Sequence, residues 1–151
     1  MKKALSISLF VSLIFLSTSS FAASVKSQVQ AAYKTWVKTV TSANGNPDNI
    51  LKLYTPHAIL LPTLDPKVLI SHKKMKAYFV KFSGLKDLSA TTHQLVTQVF
   101  PGFAINSAHY TFHYVGKDGK RVNVHARFNM VYRKINGKWL IVNMHSSVLP
   151  K

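Results

Sequence analysis

Apolar residues recur at helical spacing in the first third of the chain and alternate with polar ones in the last. Val25, Val29, Tyr33 (or Ala32), Trp36 and Val40 fall three or four apart, which predicts an amphipathic helix over residues 24–41. Asn44-Gly45-Asn46-Pro47 interrupts that period, and Pro47 suits the opening of a short second helix over residues 48–54. Residues 57–61 form a brief apolar run that reads as a strand stopped by Pro62. A third helix is expected over residues 71–82, capped by Ser71. It carries Met75, Tyr78, Phe79 and Phe82 on one face and Lys73, Lys74, Lys76 and Lys81 outward, and Gly84 ends it.

From Ser89 onward the helical period disappears. Four strands are predicted, at about 91–100, then Phe103–Val115, Arg121–Ile135 and Lys138–Val148. Pro101-Gly102, the Gly116 to Gly119 turn and Asn136-Gly137 separate them, the last a strong hairpin signal. Helices followed by an antiparallel meander make an α+β domain over residues 24–150. There is no internal repeat or linker.

Residues 1–22 read as a signal peptide: Lys2 and Lys3 precede an apolar stretch, and Ser20 and Ala22 supply small residues at −3 and −1. Cleavage after Ala22 would leave 129 of the 151 residues, enough for one domain, with no further apolar run long enough to span a membrane. The expected location is therefore the periplasm or the exterior. The chain has no cysteine, which excludes disulfides, thiolate metal sites and thiol chemistry.

Beyond residue 22 there are 18 Lys+Arg against four Asp and no Glu, a net charge of +14. The bases are spread throughout rather than clustered with aromatics. This predicts non-specific attraction to anionic polymers or membranes at low salt, not a dedicated nucleic-acid site.

Alternation sorts the last three strands into two faces. One collects His109, Thr111 and His113, then Asn123, His125, Arg127 and Asn129, then Asn143, His145 and Ser147, with Trp139 and Ile141 expected beside them. The other takes Tyr110, Phe112 and Tyr114, then Val124, Ala126, Phe128, Met130 and Tyr132, then Leu140, Val142 and Met144. If helices leave Phe112, Tyr114, Met130 and Tyr132 partly bare, the chain should be a dimer or larger.

The polar face invites chemistry, but several kinds are disfavoured. Its histidines have strand spacing and no carboxylate to complete a typical catalytic zinc set, so no metal is expected. Ser146 and Ser147 near His145 lack the glycines of a nucleophile elbow. Four scattered Asp cannot supply paired-carboxylate catalysis. What fits is a pocket in which Arg127 holds an anion and a histidine donates or exchanges a proton.

Three stretches, "LYTPHAILLPTL" (53–64), "MKAYFVKF" (75–82) and "ARFNMVYRKINGKWLIVNMHSSVLP" (126–150), resemble the nuclear transport factor 2-like (SnoaL-like) superfamily. The likeness is nearest to bacterial exported relatives of the calcium/calmodulin-dependent protein kinase II association domain, the SgcJ/EcaC-type proteins. It implies a cone-shaped fold, with N-terminal helices packed on a curved antiparallel sheet, subunits paired through the sheet and a pocket. Arg127 and His145 match the family's pocket residues, with Tyr33 or Trp36 and Tyr54 as walls; alternation along the strands adds His125 and Asn143 to the candidate ligand-binding residues. The isomerase-like relatives carry a carboxylate base where this chain has Ile59, Leu60, Leu61 and Pro62; Asp65 lies beyond that proline.

The function expected from the residues and the resemblance together is that of an exported, non-catalytic pocket protein. It self-associates, binds a small anionic or polar ligand and needs no cofactor. Two alternatives stand beside it: a SnoaL-like lyase or isomerase using His145 or His125 with Arg127, and a basic interaction protein that binds a macromolecule.

Overall fold

The computed structural model describes residues 10–150, with side chains from residue 24 onward. The leader expected at residues 1–22 lies outside the described side chains. Helix α1 (Phe10–Thr41) is followed by α2 (Asp48–Leu51), strand β1 (Tyr54–Leu61) and helix α3 (His72–Ser83). The long strands β2 (Lys86–Phe100), β3 (Phe103–Val115), β4 (Arg121–Ile135) and β5 (Lys138–Val148) complete the chain. Among the described residues no helix is long and apolar enough to cross a membrane.

The strands form one curved sheet in the order β1-β5-β4-β3-β2, antiparallel except that β1 runs parallel to β5. Its helix-covered side holds the core. Val25, Val29, Tyr33, Trp36 and Val40 of α1 are all buried, as their spacing requires, and Met75 and Phe79 of α3 join them. Wholly buried Asn106 ties the layers together: its Nδ2 donates to the Val29 carbonyl at 3.1 Å, and its Oδ1 accepts from Thr97 at 2.7 Å. Ser71 caps α3 by accepting from the Lys74 amide, as expected.

Element boundaries differ from expectation at four places. Helix α1 begins at Phe10 rather than at residue 24. Helix α2 stops at Leu51, because the sheet captures Tyr54 beside Ile141 and strand pairing overrides the local helical pattern. That capture also starts β1 at Tyr54 rather than at residue 57. Strand β2 begins at Lys86, five residues early, where it pairs with Val115.

Phe112, Met130 and Tyr132 are buried on the helix side within a single chain, and Tyr114 packs half-buried against the same core. The apolar surface expected to drive assembly is thus already covered. The side left open is the polar one.

Candidate functional site

Strand register builds the open face row by row. Gln94, His109, Arg127 and Ser147 lie side by side across β2, β3, β4 and β5, and Val96, Ser107, Asn129 and His145 form the adjacent row. The two rows floor a basin of about 270 Å³. Ser107 donates to the Asn129 side-chain carbonyl at 2.6 Å, and Arg127 Nε donates to Ser147 Oγ at 3.3 Å. The terminal guanidinium nitrogens of Arg127 have no acceptor among the described residues. None of the four aspartates lines the basin. A free guanidinium edge beside imidazole and hydroxyl groups is a natural seat for a carboxylate or similar anion.

Beyond the basin the polar ladder continues. His93 Nε2 and His125 Nδ1 both share hydrogen bonds with the buried Thr111 hydroxyl, at 2.8 and 3.0 Å, and His113 bridges Thr91 and Asn123. Five of the seven histidines thus belong to this one face. No group of three or more His, Asp or Glu residues could hold a metal ion among the described residues.

The other side of the sheet holds a different arrangement. Trp36 Nε1 donates to Tyr54 Oη at 2.9 Å, and Tyr54 donates on to Met144 Sδ. Ser146 is linked to both Tyr110 and Thr63, making a buried hydroxyl trio. The void beside it, lined by Trp36, Tyr78, Phe82, Phe112 and neighbours, is only about 10 Å³. That is about the room one water needs. Burial pushes the Tyr110 phenol up to about 12 and raises those of Tyr54 and Tyr78 as well. These phenols remain neutral at physiological pH, and no side chain lining this void carries a charge.

The expected pocket residues therefore divide. Arg127 and His145 meet in the open basin, with His125 one row along. Asn143 is half-buried on the same strand, opposite Val131, and does not line the basin. Tyr33, Trp36 and Tyr54 lie across the sheet in the core, where Tyr33 bonds Thr92 at 2.7 Å and stacks on Phe128.

Trp139 and Ile141 are not beside His145, as alternation had suggested. The pairing slips between Val131/Asn143 and Tyr132/Ile141, so Val142 is a bulge and the faces of the preceding residues reverse. Ile141 is buried in the core, and Trp139 Nε1 donates to Gln28 of α1. Leu140, expected on the core side, pairs with exposed Arg133 on the open side. Gln94, Val96 and Ser107 were absent from the expected site. Counting the β2–β3 register outward from the Pro101-Gly102 turn would have found them.

A curved sheet with helices packed on one face defines the class: the cone of the nuclear transport factor 2-like proteins. Within that class the chain belongs to the calcium/calmodulin dependent protein kinase II association domain family, whose model matches residues 25–150. A candidate domain of that family from Xanthomonas campestris is similar in structure, with 35% identity and a TM-score of 0.75 over 82% of this chain and 86% of that one. The association domain of the Caenorhabditis elegans kinase has 11% identity and a TM-score of 0.69, covering 84% and 98%. A candidate dehydratase of the nuclear transport factor 2-like family from Streptomyces avermitilis has 13% identity and a TM-score of 0.75, covering 86% and 99%. At these last two identities the likeness is one of fold. No curated protein matches the chain.

Proposed function

We propose that this protein is a non-catalytic association-type module that binds a small carboxylate-bearing anion in the basin on its open sheet face. The observation that carries this is the Arg127 guanidinium, whose terminal nitrogens have no acceptor among the described residues, in a basin lined by no aspartate. The tiny core void supports the same assignment, since it offers hydroxyls and aromatic rings but no countercharge. The lyase or isomerase alternative requires His145 or His125 to meet a substrate shielded from water, and both are exposed. Self-association into a dimer or larger assembly belongs to the proposal through the family.

Calorimetry with malonate tests the site. Arg127→Ala should weaken binding about ten- to a hundredfold, the loss of a charge-assisted hydrogen bond worth about 1.5–3 kcal/mol. His145→Ala should weaken it less, and Ser146→Ala, across the sheet, should leave it unchanged. Equal malonate affinity in wild type and Arg127→Ala would refute the assignment.

We also place the protein outside the cytoplasm. The intact mass of the exported form should correspond to a chain starting at Ala23; a mass that retained residues 1–22 would contradict this.

A further inference from the structure

The segment between β1 and α3 carries a surface that neither the basin nor the core uses. Leu69 anchors it by exchanging two backbone hydrogen bonds with Leu60, both at 2.9 Å, and Thr63 is held in the core by Ser146. Between and beside these anchors the segment pushes aliphatic side chains into solvent: Leu64 is 69% exposed, Val68 51% and Ile70 57%. Leu64 also has φ +65°, a left-handed conformation that leucine adopts only at a cost. Both exposure and strain are unfavourable.

The surroundings are basic. A groove of about 490 Å³ runs between this segment and α3, with Lys67, Lys74 and Lys81 on its walls and Val68 at its edge. Asp65 is the one acid there, and it is occupied in accepting the Lys67 amide at 2.9 Å.

We propose that this surface docks on an anionic lipid bilayer, with Leu64, Val68 and Ile70 entering the acyl boundary and Lys67, Lys74 and Lys81 meeting the headgroups. Exposed aliphatic side chains on a segment that borders a lysine-lined groove suit a membrane interface, where apolar insertion and headgroup attraction act together. A second copy of the chain is a poor occupant, because symmetric contact would set these lysines against each other. Nucleic acid is also a poor fit, since stacking on bases calls for exposed aromatic rings and the groove's Tyr78 is half-buried.

Co-sedimentation of the leader-free protein with vesicles of 70% phosphatidylcholine and 30% phosphatidylglycerol tests this. The double variant Leu64→Ser/Val68→Ser keeps every charge and should lose roughly tenfold or more in partitioning. Replacing Lys117 and Lys120 in the β3–β4 turn, which do not line the groove, should change it far less than replacing Lys74 and Lys81, which do. Absence of wild-type binding, or equal losses from both lysine pairs with none from the aliphatic double variant, would overturn the proposal. So would a double variant that bound vesicles normally but changed oligomeric state, because the patch would then belong to a second copy.

Discussion

Trp36→Ala will destabilise the domain by about 3–5 kcal/mol, a fifth or more of the stability of an ordinary domain. Trp36 is 2% exposed and lies between α1 and the sheet, close to the Tyr33 ring and bonded to Tyr54. Truncation opens a cavity beside the surrounding aromatic rings and removes the only N–H among the described residues that reaches the buried Tyr54 oxygen. Urea unfolding followed by circular dichroism measures this. Tyr54→Phe separates the two contributions: it keeps the volume and orphans the indole N–H, so it should cost about 1–3 kcal/mol. A loss below about 1 kcal/mol for Trp36→Ala would mean that the helix–sheet layer is looser than described.

Alkaline pH should unfold the protein cooperatively between about pH 10 and 12. Burial raises the pKa of Tyr33, Tyr54, Tyr78, Tyr110 and Tyr132 above the ordinary value of 10.0, and Tyr110 reaches about 12. Below pH 10 all five are protonated in both folded and unfolded chains, and their contribution is fully present. Above it the unfolded chain loses phenolic protons while the folded one retains them, so stability falls as pH rises. The slope is about 1.4 kcal/mol per pH unit for each tyrosine, or up to ~7 kcal/mol per unit for the five together. Phenolate absorbance and loss of secondary structure should therefore rise together in one step. Stepwise phenolate formation near pH 10 in a folded protein would show that the rings are not buried as described.

Much of this fold was readable from pattern. The α1 stripe, the Ser71 cap and strands β3 to β5 follow from spacing and turn residues alone, because each element's local preference agrees with the fold around it. Asn136-Gly137, with φ of 48° and 78°, makes the two-residue hairpin that its sequence announces. That same hairpin shows where simple alternation fails. Pairing Ile135 with Lys138 puts even positions of β4 on one face with odd positions of β5, so Trp139 and Ile141 belong to the core. The Val142 bulge then restores the parity that brings His145 and Ser147 beside Arg127.

A bulge has no signature in hydrophobicity, so the half of β5 before it was misassigned and the half after it was not. The parallel pairing of β1 with β5 joins residues more than eighty positions apart, and no local pattern reports it. For the same reason the split of the expected pocket became visible only once the sheet had two defined sides. Arg127 and His145 were found because their strands are neighbours in sequence. Tyr33, Trp36 and Tyr54 were grouped with them because nothing local distinguishes the two sides of the sheet.

On the proposed function the anion sits on the open face and not in the core void. Titration of isotope-labelled protein with malonate, followed by nuclear magnetic resonance, tests it most directly. Saturable shifts are expected at the Arg127 side-chain Nε–H and at the amides of His109, Asn129, His145 and Ser147, with those of Thr63, Tyr110 and Ser146 unmoved. Shifts confined to Thr63, Tyr110 and Ser146, with the Arg127 Nε–H unmoved, would place the ligand in the core and contradict it.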